Sequence, residues 1–407
     1  MSIYSTGNNS QPNSLKTGDF NNDVQLDIVV VNWATNNIVI LFGYNYGYFH
    51  NMKSYSTGNN SNPTYIDIAD FNNDYQLDIV VVNKGSNNIL ILLGDKNGRF
   101  QNLISYSTGY GSKPESLAIS DLNNDNNMDI IVANVYTHNI AIFFGYGNGK
   151  FHNMITYKTE GPIAISIADL NYDYNKDIAI ANYLGNNIGI LFGYGNRSFS
   201  SIKIYSIGFG SLPKSILIHD FNNDQKLDLA ITKSGTNEIV ILFGFGNEIF
   251  LLGKSYSTNI NSVPYKLAIT DLNNGKKLDI LDTNFGYDYE YFGGMTTYST
   301  GQNSNPHSIA IADFNQDKQL DIVVANYGTS NIEIFIRFNN GTFDSMITYS
   351  TEINSAAYCV AVAYLNNDSF IDIVVTNSKT NNIMIFFGLG DGNFKIGVLI
   401  SNCHNMR

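Results

Sequence analysis

Short apolar runs of four to seven residues, dense in Val and Ile, recur along the whole chain with polar turns between them. In the third copy a weakly alternating segment, Glu115–Ser120, leads into a polar loop. Met128–Asn134 follows as a β-branched run, then a turn at 135–138, then Asn139–Gly145. A Gly-rich turn at 146–149 leads into a fourth segment, Phe151–Tyr157. Runs of this length between Gly, Asn and Asp read as strands, and short turns between them make an antiparallel meander. The second and third runs are apolar on both faces, so each needs a layer above and below it. Four-stranded sheets stacked face to face around an axis provide those layers, which predicts an all-β propeller.

The loop between the first two runs gives the period. Asp19–Asp27 reads D-x-N-x-D-x-x-x-D, and the pattern returns at Asp70–Asp78, Asp121–Asp129, Asp169–Asp177, Asp220–Asp228 and Asp313–Asp321. Two worn copies stand at Asp271–Asp279, with Gly275 in place of the third side-chain ligand, and at Tyr364–Asp372, with Tyr364 in place of the first. Successive copies begin 51, 51, 48, 51, 51, 42 and 51 residues apart. A fixed period near 50 marks a repeat architecture, and eight copies predict eight four-stranded blades. Seven is the alternative, if the sixth unit, about nine residues short after Asp279, merges with a neighbour. That unit lacks the third-strand block, so one outer strand is expected to be lost there. With no Pro/Ser-rich linker, residues 1–407 read as one domain.

Both ends carry fourth-strand sequence. Ile3–Thr6 matches the end of such a strand, and Asn393–Ser401 supplies a nearly complete one. In a closed ring both claim the same edge. The longer C-terminal segment is expected to win, with the first residues frayed or added beside it. The opening reads as a repeat tail without a basic and apolar leader, so the chain is expected to be cut from something longer.

The net charge is −12, and 22 of the 35 acidic residues lie in the eight loops. The acidity is therefore one of sites rather than of a face, and it sets the chain against nucleic acid and anionic membranes as partners. No run reaches 18 apolar residues, so no helical membrane insertion is expected. The two cysteines, Cys359 and Cys403, form no disulfide framework; they are either free thiols or one late ring-closing pair. The six histidines show no metal-ligand spacing, and no G-x-S-x-G, P-loop or C-x-x-C pattern occurs. The chain is on that ground expected not to be an enzyme.

Oxygen-bearing side chains at positions 1, 3, 5 and 9 of one tight loop suit a hard cation such as Ca²⁺, which takes six to eight oxygen ligands. One such loop is equally well a solvated turn; six in register favour the metal. Together with N-N-I-x-I-L-F-G-Y-G-N-G-x-F, the D-F-N-N-D-x-x-L-D-I-V-V-V-N block resembles the FG-GAP/VCBS repeats of integrin α-subunit heads and related surface proteins. The resemblance covers essentially the whole chain. It implies propeller blades with calcium in the first hairpin loop, about six ions in all. It implies that Asp19, Asn21, Asp23 and Asp27 ligate by side chain and Gln25 by its backbone carbonyl. In the same order it implies Asp70, Asn72, Asp74, Asp78 with Gln76; Asp121, Asn123, Asp125, Asp129 with Asn127; and Asp169, Asn171, Asp173, Asp177 with Asn175. The last two sets are Asp220, Asn222, Asp224, Asp228 with Lys226, and Asp313, Asn315, Asp317, Asp321 with Gln319.

The chain departs from the family at positions 4 and 6, where Gly is usual. Position 4 is mostly Asn, which tolerates left-handed backbone. Position 6 includes Val24, which either keeps an ordinary φ or weakens its site.

The Asp loops and Gly-rich turns are expected at one end of the blades. At the other, Trp33, Tyr110, Tyr136, Tyr183, Phe209 and Tyr327 stand among Asn, Ser and Thr. Aromatic faces rimmed by amides suit protein loops and sugars alike. Trp33, Tyr136, Tyr183 and Tyr327 are the candidate ligand contacts, with Trp33, the only tryptophan, foremost. The expected function is extracellular ligand recognition or cell adhesion, with a glycan-binding lectin and a propeller enzyme as alternatives. N-x-S/T sequons at Asn8, Asn59, Asn196, Asn340 and Asn367 suit an extracellular or cell-surface setting.

Overall fold

The computed structural model describes residues 2–44, 47–258, 262–271, 279–284, 298–338, 342–343 and 346–396. Asn273 and Gly275 of the sixth loop, the sixth-blade segment predicted to lack a strand, Asn340, and Cys403 with its pairing to Cys359 lie outside the described residues.

Every regular element described is a strand. Blade 1 runs Pro12–Gly18, Asp27–Asn32, Asn37–Tyr44 and Tyr48–Ser56, hydrogen-bonded in that order. The same antiparallel order builds blades 2, 3, 4, 5 and 7, and blade 6 is described through Pro264–Thr270 and Asp279–Asn284. The first strands of successive blades touch around a complete circuit, the eighth returning to the first. That closure decides eight blades over seven.

Within the second strand of blade 1, Ile28 and Val30 pack into the seam with blade 8, while Val29 and Val31 pack into the seam with blade 2. One such core fills each of the eight seams. Four fully buried side chains give about 6–12 kcal/mol at roughly 1.5–3 each. Ordering the strand's six residues costs a similar amount, about 1–2 kcal/mol apiece. A strand therefore holds only with both neighbouring blades present. The seam between blades 6 and 7 departs from the apolar pattern. Glu333 and Arg337, 2% and 1% exposed, stand where blade 1 has Val39 and Gly43. Burial pushes the Glu333 carboxyl up to about 7, against hydrogen bonds from Asn326 and Asn331.

The closure corrects the expectation that the C-terminal segment takes the last edge. Ser2–Ser5 pairs with Asn382–Ile385 of the third strand of blade 8, and Phe394–Ile396 takes only Phe386–Gly388. The division falls where the outer pairing of blade 1 is broken by a bulge, between Ile40 and Phe42. Two half-strands thus fill the two halves of one edge. The N-terminal half is held by a repeated contact: the Phe49 N–H donates to the Tyr4 hydroxyl at 3.2 Å, and the rings meet edge to face at 5.6 Å. Phe100 with Tyr55 and Phe151 with Tyr106 make the same contact between other blades.

Candidate functional site

The loops wrap tightly around their first carboxylate. In blade 1, Asp19 accepts from the N–H of Asp23 at 3.2 Å and of Val24 at 2.9 Å. Asp23 accepts from the N–H of Gln25 at 2.8 Å, and Asn21 accepts from the N–H of Asp23 at 3.0 Å. Reaching Asp19 requires left-handed backbone at position 6, and Val24 adopts it, with φ +69°. Tyr75, Asn126, Tyr174, Gln225, Lys318 and Ser369 do likewise. Val24 therefore does not keep an ordinary φ, although a β-branched residue is strained there; the turn itself imposes it, since Ser369 takes φ +68° in the loop with Tyr364 in place of the first Asp.

Position 9 does different work. Asp27 is fully buried, and its two oxygens accept from the N–H groups of Phe20 and Gly43, each at 2.8 Å. Asp78, Asp129, Asp177, Asp228 and Asp321 repeat this pairing. So does Asp372, in the loop whose first position is Tyr364. This carboxylate staples the loop to the end of the third strand. Burial pushes Asp27, Asp78, Asp129, Asp177 and Asp372 up to about 7, against those amide bonds.

Asn at position 4 links four pairs of neighbouring loops among the described residues. Asn22 donates to Gln76 at 2.7 Å, Asn73 to Asn127 at 2.8 Å, Asn124 to Asn175 at 3.0 Å, and Asn367 to Gln25 at 2.9 Å across the closure. In each case the acceptor is the position-7 side chain of the next loop.

All-oxygen donors at positions 1, 3, 5 and 7 fit calcium in type. Their arrangement is another matter: the carboxylates face backbone amides, and among the described residues no group of three Asp, Glu, His or Cys side chains is gathered to hold a metal. In the third loop Arg197 already lies 3.2 Å from Asp125.

The opposite face carries a second constellation. The second residue of each first strand, just after Pro or Ala, belongs to the innermost ring: Asn13, Thr64, Glu115, Ile163, Lys214, Tyr265, His307 and Tyr358. His307 stacks at 3.8 Å on Tyr358 and lies 5.1 Å from Tyr265 and 6.5 Å from Tyr327, ring centre to ring centre. The Lys214 ammonium lies 4.7 Å from the Tyr183 ring and 5.3 Å from the Tyr265 ring, and that of Lys379 lies 5.1 Å from Tyr327. Together these form a strip across blades 4 to 8.

Burial pushes His307 down to about 4; its hydrogen bond to the Tyr358 backbone opposes this, and Lys266 and Lys214 add to it. Burial also lowers Lys214, where Glu115 pulls upward and Lys84 downward, and it raises Tyr358. Lys84 is ion-paired with Glu115.

Of the candidate ligand contacts, Tyr183 and Tyr327 belong to this strip. Trp33, 39% exposed, and Tyr136, 67% exposed, are on other blades and outside it. Lys214, Tyr265, His307 and Tyr358 escaped the sequence reading. Their signal was a repeat position whose chemistry changes from copy to copy while its neighbours stay alike.

A sequence model for the FG-GAP-like repeat matches residues 19–81, 70–132, 121–180 and 313–375, over half of the chain. The chain belongs to the FG-GAP-like repeat family. No curated protein sequence matches this FG-GAP-like chain. Its fold is similar to that of a streptogramin B lyase, with 14% identity, TM-score 0.53, and 94% of this chain and 95% of that one covered. It is also similar to virginiamycin B lyase from Staphylococcus aureus, with 14% identity, TM-score 0.51, and 93% and 96% covered. At that identity the likeness is one of fold. It nonetheless corrects the expectation that the chain is not an enzyme: lyases are built on this fold, so the missing catalytic motifs exclude no catalysis.

Proposed function

We propose that this FG-GAP-like propeller is a calcium-stabilised extracellular recognition module. Its ligand, a protein or a glycan, binds around the axis on the face opposite the Asp loops. The observation that carries the reading is the strip of aromatic rings and lysines that five blades bring together at one mouth. Aromatic side chains ringed by polar groups are the usual anchors of recognition surfaces. Asp19, Asn21 and Asp23 and their counterparts would hold the ion, with the position-7 carbonyl and the free lone pairs of Asp27. Calcium would supply the positive charge that three carboxylates on one turn lack. The asparagines of four sequons, Asn8, Asn59, Asn196 and Asn367, are exposed, which suits an extracellular chain.

Arrays of extracellular proteins and of glycans, probed with the wild type and two double variants, test this. Tyr327→Ala with Tyr358→Ala should abolish binding. Tyr75→Ala with Tyr174→Ala, at exposed positions of the Asp-loop face, should preserve it. The opposite pattern would refute the assignment of the face.

A further inference from the structure

We propose that the axial mouth takes a carboxylated sugar, its carboxylate paired with the Lys379 ammonium and its ring face laid on the aromatic strip. This rests on the axial face being the recognition surface, and it adds the class of ligand.

Charge is the first argument. The chain carries a net −12, yet the strip has a lysine on each flank. Neither Lys214 nor Lys379 is in an ion pair among the described residues; near Lys214, Lys84 and Glu115 neutralise each other. Each free ammonium rests on a tyrosine face, a contact that holds it in place without cancelling its charge. An anion completes the exposed one, Lys379.

The aromatic rings give the second argument. Tyr265, His307 and Tyr358 form a half-buried stack in the innermost ring. Such a surface matches the apolar C–H face of a pyranose, and a bare inorganic anion would leave it unused. The charge of the ligand follows from the lysines. A phosphate monoester carries about 1.5 to 2 negative charges, whereas the single charge of a carboxylate matches the one exposed ammonium, Lys379.

Methyl β-glucuronide and methyl β-glucoside differ only in carboxylate against hydroxymethyl, so calorimetric titration with the pair isolates the charge. A charge-assisted contact is worth about tenfold in affinity, and the glucuronide should bind at least tenfold tighter. Lys379→Met, at an exposed position, should erase that ratio with the melting temperature unchanged. Equal binding of the two glycosides would overturn the proposal while leaving a recognition face for neutral sugars. Acetate binding as well as the glucuronide would reduce the mouth to an anion site, and tighter binding of glucose 6-phosphate would move it to phosphate; either result overturns the proposal. No binding of any sugar at 10 mM would overturn it too, leaving the protein array to judge the recognition reading.

Discussion

Asp372→Asn tests the view that the ninth loop position is a staple in its own right. Asp372 is fully buried and accepts from the N–H groups of Leu365 and Gly388, each at 2.9 Å. Its loop begins with Tyr364, so the first carboxylate of a metal site is missing. The carboxamide keeps one acceptor oxygen and turns an NH₂ group toward the second N–H. Well above pH 7, where Asp372 is ionised, losing one charge-assisted bond costs about 1.5–3 kcal/mol, and the orphaned buried N–H adds about 1–3. Together they come to about 2.5–6 kcal/mol. With a urea slope of about 3 kcal/mol per molar or more, the unfolding midpoint should fall by about 1 M. Asp78→Asn, in a complete loop whose ion would also use Asp78, should lose at least as much, and both losses should persist in EDTA. An unchanged midpoint for Asp372→Asn would refute the staple. A loss at Asp78 that vanished in EDTA would make that residue a metal ligand first.

Calcium chelation should lower the melting temperature of the wild type, because an ion bound only to the folded state stabilises it by mass action; an identical melt in EDTA, with no metal in elemental analysis, would remove the calcium reading. Native mass spectrometry should count one calcium fewer for Asp23→Ala, whereas Asp125→Ala should change the count less, since Arg197 already engages that carboxylate. Deleting residues 1–5 should expose half the outer edge of blade 8 and strip Phe49 of its hydroxyl partner, giving earlier unfolding and faster hydrogen exchange at Asn382–Ile385; unchanged exchange there would mean that the C-terminal segment can take the whole edge. His307 ionises near 4 in the fold and near 6.5 in the unfolded chain, so the unfolded state takes up its proton first as pH falls. His307→Gln should therefore lose less stability than the wild type between pH 6.5 and 4, and equal slopes would contradict the burial.

What the sequence determined by itself was whatever each copy repeats locally. The strands were legible because runs such as Ile28–Val31 are apolar on both faces, and left-handed Asn22 because Asn tolerates that backbone. The loops announced their period, and with it a count of eight blades or, with the shortened sixth unit merged, seven. The tertiary structure decided what joins one copy to another. Asn22 reaching Gln76, or Asn367 reaching Gln25 across 342 residues, appears in no local pattern. The shared last edge belonged to the same class: two half-strands compete on paper, but Tyr4 has its contact with Phe49 only once blade 8 stands beside blade 1. Asp27 looked like a metal ligand because its spacing says so, and only the folded hairpin brings the Gly43 amide to it. The axial strip was the least legible of all. Lys214, Tyr265, His307 and Tyr358 lie 42 to 51 residues apart, one per blade, so no window of sequence holds two of them. Closing the ring turns that long separation into ring-to-ring contact, because each first strand touches its neighbours only around the axis.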